Sequence, residues 1–280
     1  MPRRRAPKFS ECTIEQLTID DEAAFRHVGL YADLKEVLRR ARYRFRVLPA
    51  ALAGRWDRAL LLNLTFWGAD AGGDVLTDRH LPADVVAHAA WHYLASRALG
   101  AASGAPQTPE ALFLGESIAS AFDVYLVGRL LGAAADSSFL ETQVPAMAEA
   151  AEGAGLDEAD FAALLHGIAR DPERAFAELR ELLWDATLAL LACDSAEQAL
   201  LALGSFDEHR FAPLLHRYEL SNWVLYARAY GRAAGTAQAE VARVRAVDRA
   251  LREAPVALDW LTAEWVLPAL APSYLGELTL

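Results

Sequence analysis

The chain has 280 residues, enough for one large domain or two small ones with a sizeable core. Hydrophobic residues make up 54%, largely Ala and Leu, which excludes a disordered chain and favours helix. With 27 basic and 38 acidic residues the net charge is −11, and no basic face of the kind that grips nucleic acid is apparent.

The one basic cluster, "PRRRAPK" at 2–8, reads as a flexible, solvated terminus, and no apolar segment follows it to make a signal peptide. No uninterrupted apolar stretch reaches the roughly 18 residues of a membrane span. Cys12 and Cys193 lie far apart and read as reduced thiols, so a cytoplasmic location is expected.

From residue 19 the chain starts acidic and ends basic. It places Leu30, Leu34, Val37, Leu38 and Ala41 on one face, as in a single helix aligned with its dipole. Tyr43, Phe45 and Val47 then alternate with arginines, the pattern of a short strand. "RALLLNLTFWG" at 58–68 is a continuous apolar run before a Gly-rich loop, so a buried strand ending at Trp67 is expected. Pro82 starts a helix that runs to Leu99 and stops before Gly100. After the linker "GAASGAPQ", Thr108 is an N-cap, Pro109 the first helical residue and Glu110 a first-turn acid. That helix is apolar nearly all round and is therefore central. Beyond about residue 140 the patterns are all helical, with Asp171 capping a helix that begins at Pro172. The expected fold is mainly α with a small β-sheet (α+β). It divides into a flexible terminus (1–10), a region with the sheet and two site helices (11–135), and a helical C-terminal lobe (136–280) packed on it.

His88 and His92 in "VVAHAAWHYLA" are four residues apart, which puts both rings on one helix face, close enough to share an ion. Seven histidines in this chain would give roughly 0.17 such pairs by chance, so the spacing alone does not make a site. Glu116 adds to it, because a carboxylate in a buried helix is costly unless paired or bound to a metal. Ser120 and Asp123 follow at one and two turns. The expected ligands are His88, His92 and Glu116, with Asp123 fixing a histidine tautomer from behind. Asp84, one turn before His88, is an alternative partner of the site or simply a first-turn acid.

"VVAHAAWHYLA" resembles the active-site helix of zincin metallopeptidases, whose H-E-x-x-H motif here reads His88-Ala89-Ala90-Trp91-His92. "GESIASAFD", with Glu116 24 residues after His92, resembles the glutamate helix of the gluzincin branch. The resemblance covers roughly 55–132. It implies a zincin-like domain with a helical C-terminal lobe, zinc on His88, His92 and Glu116, and a peptide or protein substrate. It also implies a general base beside the first histidine, and this chain has Ala89 there. That base is worth about 10²–10⁴-fold, so the implied protein is an inactivated enzyme or a pseudo-peptidase.

Two histidines and a carboxylate are also the ligand set of non-haem Fe(II) oxygenases, which need no such base. A metal-free helical interaction protein is the third reading. His216 and Tyr218 in "HRYELSNWVLYARAYG" are weak candidates for oxyanion stabilisation, with Tyr226 and Tyr230 as a packing face. Trp91 reads as core beside the site. Glu264 is a carboxylate among apolar residues, and His27, His80, His166 and His209 have no partner pattern. There is no G-x-G-x-x-G, P-loop or G-x-S-x-G motif.

Overall fold

The computed structural model describes residues 9–52, 74–100, 106–134, 136–231 and 237–271. Five short strands are described: β1 (Ser10–Thr13), β2 (Thr18–Asp20), β3 (Arg44–Val47), β4 (Val75–Leu76) and β5 (His80–Pro82). The helices are α1 (Glu22–Phe25), α2 (Gly29–Arg40), α3 (Ala83–Leu99), α4 (Pro109–Leu130), α5 (Ser138–Gly153), α6 (Glu158–Arg170) and α7 (Pro172–Leu191). They continue with α8 (Ala196–Gly204), α9 (Leu220–Tyr230), α10 (Gln238–Glu253), α11 (Ala257–Leu261) and α12 (Leu267–Leu270). The fold is mainly α with a small β component. The strand expected at 58–68, with Trp67, and the terminus at 2–8 lie outside the described residues.

The strands form two small sheets. β1 pairs antiparallel with β3 and β3 parallel with β4, while β2 pairs parallel with β5. In β3, Phe45 and Val47 are buried while Arg44 and Arg46 are not, which is the expected alternation. β5 runs straight into α3 at Ala83, so the sheet sets the start of the histidine helix.

The single helix expected from residue 19 is broken. Thr18–Asp20 is strand, Asp21 takes a left-handed φ of 61°, and the long helix begins at Gly29. The reason lies far along the chain. Asp21 does not serve its own helix; its carboxylate accepts bonds from Ser137 Oγ (2.6 Å) and the Phe139 N–H (3.2 Å) and so caps α5. The stretch expected to be helical after residue 212 is likewise divided. Ala212–Tyr218 is 3-10 helix, and α9 follows a left-handed Glu219.

Thr108 caps α4 by accepting from the Ala111 N–H at 3.3 Å, and Asp171 caps α7 through the Arg174 N–H at 3.1 Å. α4 is long and apolar enough to cross a membrane by composition, but 89% of that stretch is buried inside the protein. It is the central helix, packed against α3, α7, α6, α10 and α9. Two glycines allow the close approaches. A Cβ on Gly128 would lie 2.7 Å from the Ile168 carbonyl oxygen, and one on Gly115 would lie 3.2 Å from Ala95 Cβ of α3. One hydrophobic core runs from Cys12 to Ala269. A helical run at 257–270 carries a π-turn at Thr262–Val266 and closes the described chain.

Candidate metal centre

α3 and α4 pack side by side, and Gly115 sits at their contact, one residue before Glu116. The i, i+4 spacing turns His88 and His92 the same way, toward α4. Their Nε2 atoms are 3.1 Å apart. Glu116 closes a triangle, with Oε2 3.2 Å from His92 Nε2 and Oε1 3.9 Å from His88 Nε2. The three ligand atoms lie within 4.8 Å of one another. Two imidazole nitrogens at 3.1 Å must share a proton or point lone pairs at one electrophile. Glu116 Oε2 is buried, and no contact it makes has hydrogen-bond geometry. Both facts suit a cation at the centre of the triangle.

The neighbours orient these three groups. Ser120 Oγ donates to Glu116 Oε1 at 3.4 Å, and Asp123 Oδ2 faces His88 Nδ1 at 3.4 Å, behind the ring. Asp84, on the first turn of α3, is half-buried. Burial and the charge of Asp123 raise its carboxyl pKa to about 6. Burial pushes the His88 imidazolium down, but Asp123, Glu116 and Asp74 outweigh it and hold its pKa up at about 9. Burial pushes Glu116 up, and His92 and His88 more than offset it, so its carboxyl sits below the usual range.

Asp74 and Tyr43 are the site residues that sequence reasoning missed. Asp74 is 4% exposed and stands just before β4. Burial raises its pKa, while His92 and His88 pull it back through their charge. Tyr43 OH donates to Asp74 Oδ2 at 3.0 Å, and the Tyr43 ring meets that of Tyr93 on the histidine helix at 5.9 Å. Only the alternation of Tyr43 was legible, and Asp74 reads as the last residue of a loop. Four carboxylates (Asp74, Asp84, Glu116 and Asp123) thus act on two imidazoles, a balance that favours a bound cation.

No protein-family model matches this chain, and neither does any curated protein or solved structure.

The remaining candidates are placed as follows. Ala89 is fully buried in the core. Trp91 is fully buried and packs edge-on against Phe122 at 5.4 Å. Tyr218 is near enough to Asp123 to feel its charge, and burial foremost raises its phenol pKa. His216 is not brought to the triangle. It is exposed and lines a cavity whose described walls include none of the three ligand residues. Glu264 faces solvent on the π-turn, and the Tyr226–Tyr230 rings pair at 4.9 Å. His80 pairs with Asp20 at 3.0 Å on the surface.

Proposed function

We propose that this chain is a zincin-like zinc protein whose ligands are His88, His92 and Glu116, and that it acts as a pseudo-peptidase holding a peptide or protein. One observation carries the reading: three ligand atoms from two helices converge on a single point in a buried site. A tetrahedral ion with bonds of about 2.0–2.1 Å spaces its ligands about 3.3–3.4 Å apart. The His88–His92 separation of 3.1 Å and the Glu116 contacts of 3.2 and 3.9 Å, made through different carboxylate oxygens, bring all three groups within reach of one ion, and the choice of zinc over Fe(II) rests on the resemblance to the gluzincin helices.

Bound zinc would supply Lewis acidity at this site. The chain's own residues do the rest. Asp123 behind His88 fixes the tautomer that leaves Nε2 free to ligate, and Ser120 steadies Glu116. The missing carboxylate beside His88 removes about 10²–10⁴-fold of proton-transfer assistance. Asp74, buried and bonded to Tyr43, feels the charge of both histidines and is one candidate for part of that role, beside Asp123 at 3.4 Å from His88 Nδ1.

Elemental analysis of the purified full chain tests the reading. We expect about one zinc per chain, lost in His88→Ala and in Glu116→Ala. Iron in its place would favour the oxygenase reading, and no metal after reconstitution with zinc would remove both. Incubation with a peptide library, with and without Asp74→Asn, then separates residual hydrolysis from binding alone.

A further inference from the structure

A separate open cavity of 490 Å³ lies between the end of α7, α8, the 3-10 helix at 212–218 and the start of α9. Its volume falls in the range of about 300–1,000 Å³ typical of small-molecule sites. The floor is apolar: Leu190, Leu215 and Leu220 are buried and Leu203 is half-buried. The mouth carries two exposed carboxylates, Asp207 and Glu219, beside the exposed imidazole of His216, and no Lys or Arg is among the described lining residues. Such a site repels an anion and rewards a positive head group on an apolar body.

Two further observations fit a ligand here. Glu219, whose left-handed φ of 47° ends the 3-10 helix before α9, accepts from Asn222 Nδ2 at 2.5 Å through Oε2, which fixes its carboxylate at the mouth. α8 buries none of its residues and leaves Leu200 and Leu201 71% and 77% exposed. Its Ala199 and Leu203 pack against the core and also line the cavity, so a ligand would extend the apolar contact of this helix.

We propose that this cavity binds a small organic cation with an apolar body, of the alkylammonium type. The proposal stands apart from the metal centre and does not depend on it.

Isothermal titration calorimetry of the full chain tests it, using octylammonium below its micellar concentration, with octanoate and octan-1-ol as length-matched comparisons. One octylammonium per chain is expected, with weaker octanol binding and no octanoate binding. Asp207→Asn and Glu219→Gln should each weaken octylammonium about 1.4- to 5-fold, the span of an exposed ion pair. Leu203→Trp should fill the cavity and abolish binding; if that variant unfolds, Ala199→Leu serves the same purpose. No saturable binding of octylammonium overturns the proposal. Equal binding of octanoate does so as well, and so does binding that survives cavity filling, which would place the ligand on the exposed leucines of α8.

Discussion

Gly115 offers the sharpest test of how packing builds the candidate metal centre. Its missing side chain lets α4 approach α3, with an added Cβ only 3.2 Å from Ala95 Cβ. Methyl groups in contact normally sit about 3.5–4.0 Å apart, so Gly115→Ala demands a few tenths of an ångström. Alanine also gains about 0.8–1.0 kcal/mol of helix propensity, against an overpacking cost of about 1–3 kcal/mol. The alanine variant should therefore be mildly destabilised and keep its site. Gly115→Val places branched methyls in the same gap and must push the helices apart by more than the roughly 0.5 Å that a ligand set tolerates. Thermal unfolding with and without zinc reads the result. Zinc at 100-fold over its Kd stabilises by about 2.7 kcal/mol. Chains of about 150–250 residues gain about 2–4 °C per kcal/mol, so for 280 residues the wild-type shift should fall at the lower end of roughly 5–10 °C. We expect the alanine variant to retain this shift and the valine variant to lose most of it while staying folded. A full zinc shift in folded Gly115→Val would refute the idea that this contact sets the ligand triangle.

Other outcomes follow from the same structure. Arg180 is fully buried and bonded to Asp248 of α10, which Arg252 also contacts at 3.0 Å. Asp248→Ala should cost about 3–5 kcal/mol in urea denaturation by leaving that buried guanidinium to the longer Glu181 contact at 3.5 Å, and adding Arg180→Met should recover much of the loss. Phe122 is fully buried between Trp91 and Tyr125, and Phe122→Ala should cost about 3–5 kcal/mol in the same assay. Ala89→Glu buries a carboxylate in the core, so the zinc-free variant should melt well below wild type, and zinc should restore part of the loss if the new carboxylate reaches the site. Asp84 has a folded pKa raised to about 6, so in zinc-free protein its contribution is greatest at low pH and is lost as pH rises from about 4 to 6. Asp84→Asn should remove that slope and raise stability at pH 7; an unchanged pH–stability curve would contradict the assignment.

Local signals that act over a few residues were legible in the sequence. The caps at Thr108 and Asp171, the alternation around Phe45, the all-round apolar character of α4 and the i, i+4 histidine pair each depend only on neighbours in the chain. Glu116 could be paired with the histidines because a buried charge on an apolar helix needs a partner, wherever that partner lies. The breaks could not be read, since they are set by contacts distant in sequence. Asp21 leaves the expected helix to cap α5 more than a hundred residues away, and Thr18–Asp20 turns to strand because β5 offers its edge. Asp74 and Tyr43 join the site only when β3 and β4 pair and α3 packs beside them. His216 and Tyr218, two residues apart, part company because a 3-10 helix sends one to a solvent-exposed cavity and packs the other against the core beside Trp223. The sequence by itself determined which residues could offer ligands to an ion, because ligand chemistry and helical spacing are local. Only the tertiary structure decided which carboxylates surround them, because charge acts through space and not along the chain.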